Sequence, residues 1–501
     1  MSARDARTPV LIGIGEVTDR PPDPLDSLEP LTLMAEALRR ADEDAGGGWL
    51  PQLHSLDVVG QVTWRYEDLS RQLAQRIGAS PIRLINGPVG GETPIRMLHE
   101  AALRIANGAA EVGAIVGGES MYARSKAKQA GLNLPWTPMS AADNRYDGMV
   151  PIHPVAKQLG ASVPAHIYPF YEIASQAGWG QTPLQARDET ATLWAEFSRV
   201  ASDNPYSWSK RAIDAKSVVS PSVTNRLIAW PYTKSMVANP NVNQSAALLV
   251  CSLAQARRAK IGEDRLIYFH AGAAAVESED YLQRDTYQRS TAQDAVLRTV
   301  VSDSGADAAS MAYMELYSCF PCVPKMALRS LGLETGKKAT VTGGLSFFGG
   351  PLNNYMTHAA CAMTRQLRAR PDGAGLLYGQ GGFMNKHHAL ILGRRPPTRA
   401  LAQRYSVQTL ADGTKGPIPP FVTEYSGTAI LETFTILYDR DGEPAHGVAI
   451  AKTLNGARLM AKVLPGDCET LKALTNLDHT AVGMHGIVTP LSDSLLRWQI
   501  A

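Results

Sequence analysis

The residues of this 501-residue chain that offer the most chemistry sit where apolar runs break into helices. One such break is Glu315-Leu316-Tyr317-Ser318-Cys319-Phe320-Pro321, which places Cys319 and Cys322 in a Cys-x-x-Cys pair. That spacing suits a redox dithiol, but Phe-Pro lies between the thiols and no thioredoxin-like context surrounds them, so the redox reading is set aside. Tyr317 offers a hydroxyl for general acid or phenolate chemistry, and equally the bulk to fill space beside smaller neighbours. Tyr378 carries the same two readings. Two further breaks are glycine-rich: Ile85-Asn86-Gly87-Pro88-Val89-Gly90-Gly91 and Gly343-Gly344-Leu345-Ser346-Phe347-Phe348-Gly349-Gly350-Pro351. Turns of this kind aim backbone N–H groups and a positive helix end at anions and oxyanions. Glycine also serves close packing and tight turns, so each loop keeps that reading beside the functional one. No His, Cys and carboxylate cluster has metal-ligand spacing, and no metal is expected. No Gly-x-Gly pattern has the downstream acidic residue of a dinucleotide site.

The elements that must position these breaks alternate between short apolar strands and amphipathic helices, the grammar of a βαβ sheet. Val10 to Gly15 reads as a strand and Leu31 to Ala45 as a helix. Leu56 to Gln61 is a strand, Leu69 to Ile77 a helix, Glu92 to Asn107 a helix stopped by Gly108, and Val112 to Val116 a buried strand. From about 121 to 235 Pro, Trp and Tyr become frequent around helices such as Glu189 to Ala201, which reads as an insertion packed over the sheet. The βα rhythm returns from Ser245, with strands near 248–251, 266–271, 311–316, 341–343 and 375–378. His387-His388 precedes the apolar run Ala389–Leu392 and reads as a strand edge.

An internal repeat ties these stretches together. Gly90-Gly91, Met97 and His99 recur at constant offset as Gly349-Gly350, Met356 and His358. A helix, a strand and glycines follow each copy, which implies two similar halves. The repeated histidines read as packed residues at the seam between them. After about residue 398 the pattern changes to strand-like runs at 423–425, 428–438, 447–453, 457–463 and 483–488, with Asp439-Arg440-Asp441-Gly442 as a hairpin turn. Such a set fits a small barrel, an OB-like one best.

Bulk properties narrow the function classes. Apolar residues make up 45% and charged residues 19%, a globular balance, and the length predicts two or three domains. With 49 basic against 47 acidic residues, net charge is +2 and no basic run marks a nucleic-acid or anionic-lipid surface. Five cysteines without regular spacing argue for a reducing compartment. The sequence shows no signal peptide, no membrane-length apolar run and no peroxisomal C-terminus, so a cytoplasmic location is expected.

In order, these segments resemble the thiolase superfamily, most closely its sterol-carrier-type branch, over residues 8–395. The loop at Asn86 to Gly90 resembles the family's nucleophile loop. Gly117-Gly118-Glu119-Ser120-Met121 resembles the Gly-Gly-x-Glu-Ser-Met that follows it, and Asn204-Pro205-Tyr206 a segment of the loop domain. Asn243-Gln244-Ser245-Ala246-Ala247 stands where Ser-Asp-Gly-Ala-Ala is usual. Glu315 to Phe320 parallels Glu-Leu-His-Asp-Cys-Phe, and Gly343 to Pro351 parallels the Gly-His-Pro loop. The resemblance implies an α/β protein with a duplicated, five-layered αβαβα thiolase fold. Its core would comprise 1–120 and 236–395, with a loop domain inserted at 121–235 and the β-rich, OB-like domain at 398–501.

The departures carry the functional argument. Val89 stands where a thiolase has its nucleophilic cysteine, and valine cannot accept an acyl group. Gly350 replaces the histidine of Gly-His-Pro, Tyr317 the histidine of the branch, and Tyr378-Gly379-Gln380-Gly381-Gly382 the loop that carries a Cys in ordinary thiolases. Cys319 aligns with the branch's acid/base cysteine. Tyr317, Cys319 and Tyr378 are therefore the expected catalytic residues. Val89, Gly379 and Gly350 are the expected thioester or oxyanion positions, since backbone donors survive side-chain replacement and contribute roughly 3 kcal/mol each in acyl-transfer sites. The resemblance implies an acyl-CoA-active protein of lipid metabolism within the acyltransferase superfamily, doing C–C chemistry on a CoA thioester without an acyl-enzyme. Some cysteine-free relatives act as aldolases beside an OB-fold partner. The alternative is a non-catalytic acyl-CoA or lipid carrier. A CoA thioester is the expected ligand and no tightly bound cofactor is expected. Neither nucleic acid nor membrane is an expected partner, and monomer and homodimer both stay open.

Overall fold

The first half of the core is built from short Val, Ile, Leu and Gly runs separated by helices with one apolar face. In the computed structural model, which describes residues 4–141, 148–334, 336–370, 372–492 and 495–501, strand β1 (Pro9–Thr18) leads through α1 (Pro30–Asp44), β2 (Ser55–Val58), α2 (Leu69–Arg76), β3 (Arg83–Asn86) and α3 (Thr93–Ala106) to β4 (Val112–Ser120). Pro30 and Pro94 lie in first turns, where a missing N–H costs nothing. Gly108, at φ 78°, takes the left-handed conformation that ends α3. The insertion follows as α4 (Met121–Ala130), α5 (Pro154–Gln158), α6 (Pro164–Gly178), α7 (Pro183–Asp203), α8 (Ala215–Val219) and two short strands, β5 (Leu227–Ala229) and β6 (Tyr232–Thr233). The core resumes with β7 (Asn243–Ser252), α9 (Leu253–Arg258), β8 (Ile267–Val276), α10 (Thr291–Ser304) and β9 (Tyr313–Leu316). It ends with α11 (Cys322–Ser330), α12 (Gly344–Phe347), α13 (Tyr355–Ala369), β10 (Ala374–Gly381) and β11 (Lys386–Gly393).

The strand order β3-β2-β4-β7-β1-β8-β11-β10-β9 contains the same arrangement twice. In each half a parallel pair (β2 with β4, β9 with β10) is followed by two antiparallel steps, to β7 and β1 in one half and to β11 and β8 in the other. The halves join through only two residue pairs, Val10 with Tyr268 and Leu11 with Ile267. Helices α3 and α13 each touch strands of both halves, α1 covers the outer face of the first, and α10 that of the second. Five layers, α-β-α-β-α, result. The repeated histidines lie at the seam as expected. His99 Nδ1 is 3.1 Å from His388 Nε2 in the other half, and His358 Nδ1 is 2.7 Å from Glu16 Oε1 across the same seam.

Two local expectations fail for identifiable reasons. Residues 341–343, the counterpart of β3, form no strand because the buried Glu315 carboxylate takes the N–H groups of Val341 (2.8 Å) and Thr342 (3.1 Å) that a ladder would need. His387 and His388 are not at a strand edge; they lie inside β11, buried between β8 and β10.

Beyond the core, residues 405–408 hydrogen-bond to β8 (Ala274 N–H to Tyr405 O, 2.9 Å) and α14 (Gln408–Gly413) packs on α10. The barrel proper is β12 (Gly427–Tyr438), β13 (Pro444–Thr453), β14 (Arg458–Val463), α15 (Cys468–Leu474), β15 (His485–Ser492) and β16 (Leu495–Ile500). Its ring closes in the order β12-β13-β14-β16-β15-β12, with β14 and β16 parallel and α15 between the third and fourth strands. This is an OB-like barrel. Residues 423–425 are not a strand, and 495–500 supply the fifth. Alternation in β13 and β14 splits cleanly: Ala449, Ala451, Leu459 and Ala461 fill the barrel, whereas Val448, Ile450 and Met460 pack into the large core. The barrel is also welded to the insertion, because β5 pairs with β12 and Trp230 N–H donates to Ile436 O at 2.8 Å. Among the described residues no helix is long and apolar enough to cross a membrane.

Candidate functional site

The loop between β3 and α3 sets the centre of the site. Val89 is half-buried, and around it the backbone is tied down. Gly90 N–H donates to Asn353 Oδ1 (3.0 Å), and Asn353 Nδ2 donates to Gly60 O (2.7 Å). Lys386 Nζ, at the start of β11, donates to Gly148 O (2.6 Å) and to Val89 O (3.4 Å). Of the expected thioester positions, Gly350 also has its N–H engaged, donating to Asn239 O at 2.8 Å. Gly379 lies over Glu92 and Ile95 of the neighbouring helix start, so β10 comes close to the loop that carries Val89.

Cys319 follows β9 and precedes α11, and Gln380 of β10 reaches it. Gln380 Nε2 is 3.2 Å from Cys319 Sγ and 2.6 Å from the Tyr168 hydroxyl, which in turn donates to Gly382 O at 3.2 Å. Tyr168 comes from α6 of the insertion, and its ring stacks on Phe320 with centroids 4.4 Å apart. Burial pushes the Cys319 pKa up to about 12, against the opposing hydrogen bonds from Tyr168 and Gln380. At neutral pH this group is therefore a thiol, suited to donating a proton and unsuited to nucleophilic attack.

Tyr317 and Tyr378 diverge. The Tyr317 hydroxyl occupies the space that a side chain on Gly91 would need, beside the carbonyl of Gln380, and its ring meets Tyr355 edge-on at 5.8 Å. Burial holds its pKa well above the ordinary tyrosine value, with Cys319 and Glu92 adding to the shift. The Tyr378 hydroxyl instead bonds to His387 Nδ1 (2.8 Å) and Gln293 Nε2 (3.0 Å), on the side of α10. Tyr317 and Gly379 meet the Gly91–Glu92 segment that follows Val89, Gln380 links Cys319 to the same strand, and Tyr378 points into a separate polar cluster.

Two carboxylates from the recognisable motifs are structural brackets. Glu119 accepts from Val62 N (2.9 Å), Thr63 N (2.8 Å), Gln61 Nε2 (3.2 Å) and the Thr63 hydroxyl, and burial lifts its pKa to about 7. Glu315 accepts from Val341, Thr342, Thr340 and Tyr355. Each fixes a loop beside the site and leaves no oxygen for a substrate. Among the described residues no group of three or more His, Cys, Asp or Glu could hold a metal.

Residues 407–490 match the family model described as the thiolase-like protein type 1 additional C-terminal domain. Over its whole length the chain is similar to a monomeric SCP2-thiolase like protein type 1 from Mycobacterium smegmatis, at 27% identity and a TM-score of 0.83, covering 99% of each chain. The chain has a thiolase-like fold with this additional C-terminal domain. It is similar in fold to the Ltp2-ChsH2(DUF35) aldolase (18% identity, TM-score 0.57, 77% of this chain and 97% of that one). It is likewise similar to an acetyl-CoA acetyltransferase from Syntrophomonas wolfei (14%, TM-score 0.55, 78% and 99%). No curated protein matches the sequence.

Residue types alone do not single out four groups that the fold assembles near the Val89 loop and Cys319: Glu92, Asn353, Gln380 and Lys386. Asn353 and Gln380 gave no signal, since a lone amide has no diagnostic spacing. Glu92 did carry one, an acidic residue at a helix start, but that pattern reads as dipole compensation until burial is known.

Proposed function

We propose that this thiolase-like protein binds a CoA thioester at the Val89 loop and makes or breaks a C–C bond at the acyl group without forming an acyl-enzyme. One observation carries the reading: the Cys319 thiol is held protonated by burial and hydrogen-bonded by Gln380, beside a loop whose nucleophile position is occupied by Val89. A site with a proton donor and no acyl acceptor suits enolate chemistry, in which carbon is protonated or attacked while the thioester stays intact. One structural neighbour, an aldolase, supports the same class. Tyr317 is the second polar group of this site, and Tyr378 acts at most through His387. The M. smegmatis relative is described as monomeric, and we extend that state to this chain.

A carrier without catalysis is the second reading. It is favoured by the N–H of Gly350, one of the three expected oxyanion positions, which is already committed to Asn239 O. The experiment is a panel of CoA thioesters, 3-hydroxyacyl and 3-ketoacyl among them, assayed with wild type, Cys319→Ala and Tyr317→Phe. Turnover lost by 10²-fold or more in either variant, as expected for removing a general acid, supports the enzyme. Turnover unchanged in both variants removes the site assignment, and tight binding with no turnover anywhere favours the carrier.

A further inference from the structure

Away from the Val89 loop, the insertion and the barrel domain enclose a cavity of about 100 Å³. Helix α6 supplies Glu172 and Gln176, four residues apart and so on one face, and α7 supplies Arg187. Trp230, between β5 and β6, and Met236 form an apolar wall. Leu477, just past α15, closes the cavity from the barrel side, and Leu184 N–H donates to Leu477 O at 2.9 Å. The cavity shares Arg187, Val219 and Pro221 with an outer hollow of about 500 Å³, which also reaches Asp188 and Lys216. None of Val89, Tyr317 and Cys319 lines either space.

Two polar side chains of the cavity lack partners. Gln176 is 5% exposed, and among the described residues neither its carboxamide nor the Arg187 guanidinium makes a hydrogen bond. Arg187 Nε is buried without an acceptor, and the Asp188 carboxylate stands 3.9 Å from it. Burying such groups unpaired is unfavourable, and an apolar side chain would fill the same space at less cost. Glu172, on the same helix face as Gln176, is fully provided for. It accepts from the Tyr232 hydroxyl at 2.9 Å and pairs with the buried Lys325, which also donates to Thr190 Oγ1 at 2.9 Å. Lys325 therefore cancels the Glu172 charge, and over both spaces Arg187 and Lys216 outweigh Asp188, a balance that favours an anion.

We propose that this cavity binds a short-chain monocarboxylate, at a place separate from the thioester site. The carboxylate accepts from Arg187, at the junction of cavity and hollow, and from the Gln176 amide. Its hydrocarbon chain lies against Trp230, Met236 and Leu477. One guanidinium beside an apolar wall suits a single negative charge better than the two of a phosphate. An apolar cavity of about 150 Å³ admits a benzene ring, so this one takes a chain of roughly four or five carbons, as in pentanoate or hexanoate. Leu477 lies in the additional domain and the other walls in the insertion, so the bound acid bridges the two.

The test is calorimetric titration of the full chain with sodium butyrate, hexanoate and decanoate, with hexan-1-ol as the uncharged control. Hexanoate should bind roughly 10-fold more tightly than butyrate, the factor that two further buried methylenes give, and decanoate no more tightly than hexanoate. Arg187→Gln and Gln176→Leu should each weaken hexanoate by about 10-fold or more, as expected for losing a charge-assisted hydrogen bond. Gln176→Leu should also keep or raise Tm, whereas an amide that served the fold would lower it when replaced. Hexanoate should change the tryptophan emission of wild type, and Trp230→Phe should bind it without that change. No binding of hexanoate by wild type, equal binding of hexan-1-ol, or undiminished binding in Arg187→Gln and Gln176→Leu overturns the proposal. An emission change that persists in full in Trp230→Phe puts the ligand elsewhere and overturns it too.

Discussion

Gln380 Nε2 stands 3.2 Å from Cys319 Sγ and 2.6 Å from the Tyr168 hydroxyl, joining β10 of the core, the loop after β9 and a helix of the insertion in one hydrogen-bonded set. The amide donates to sulfur and so favours the thiolate, yet burial outweighs it and the group stays protonated. The two effects oppose each other at one atom, and the larger one decides the chemistry available to Cys319.

Cysteine reactivity follows from that balance. Of the five cysteines, Cys251, Cys319, Cys322 and Cys361 are buried and Cys468 is exposed at the start of α15. Iodoacetamide at pH 8 under native conditions should give a single adduct, on Cys468, by peptide mass spectrometry. Gln380→Leu should leave Cys319 equally unreactive, since losing the donor moves its pKa further up. Prompt labelling of Cys319 would contradict the account of its environment.

The backbone at position 350 has room for a Cβ. A Cβ on Gly350 meets no atom closer than 3.5 Å, and its φ is not in the left-handed region. Gly350→Ala should therefore change stability by less than about 1 kcal/mol in urea titrations, and Gly350→His, whose ring needs further room at this buried position, by about 1–3 kcal/mol. Combined with Val89→Cys, Gly350→His should create a thiol that alkylates readily at the start of α3. Acylation of that thiol by acetyl-CoA, seen as a mass increase absent from wild type, would show that the loop still places a thioester carbonyl at position 89.

The barrel is held to the core by a buried guanidinium. Arg458 of β14 is fully buried, pairs with Glu432 through Nε (2.8 Å) and Nη2 (2.7 Å), and donates to Leu282 O at 2.9 Å. Arg458→Ala leaves that carboxylate and those carbonyls without their donor, at a cost of about 3–5 kcal/mol. Chemical denaturation should register the loss, and proteolysis should cut first between 414 and 427, where the chain passes from α14 to the barrel.

Low pH should weaken the seam between the halves. Burial pushes His99 down to about 3, and His388, its neighbour, is also pushed well below its ordinary value. A histidine whose folded pKa is depressed contributes fully above its unfolded value of about 6.5, and the contribution is lost as pH falls from there toward the folded value. Between pH 7 and pH 5 the loss should be on the order of 1–2 kcal/mol for His99, with His388 adding in the same direction, lowering Tm. His99→Gln should flatten the dependence; an unchanged pH profile would place the acid sensitivity elsewhere.

How much of this was visible beforehand depended on the kind of signal. The duplication was legible because Gly90-Gly91, Met97 and His99 recur with their element order, and both inner helices do occupy equivalent places. The barrel was legible from alternation in 428–438 and 447–453. Its last strand escaped because Leu495–Ile500 is short and carries no turn signal that sets it apart. The weld through β5 was invisible, as three residues have no readable period. The same holds for the face of β13 and β14 that OB-fold proteins use for oligonucleotides. Here Val448, Ile450 and Met460 bury it in the core, a fact of tertiary packing. At the site, the lost nucleophile at Val89 could be read directly, but the carboxylate beside it could not. Glu92 gains its meaning from Gly381, almost three hundred residues away in the chain.

The most direct test of the central claim is intact-protein mass spectrometry on wild type mixed with 3-hydroxybutyryl-CoA and acetoacetyl-CoA, with the small molecules analysed in the same samples. The account predicts a shorter acyl-CoA and a carbonyl product from the hydroxyacyl thioester, with the protein mass unchanged throughout. A covalent acyl adduct on the protein, or both thioesters recovered intact at every protein concentration, would contradict it.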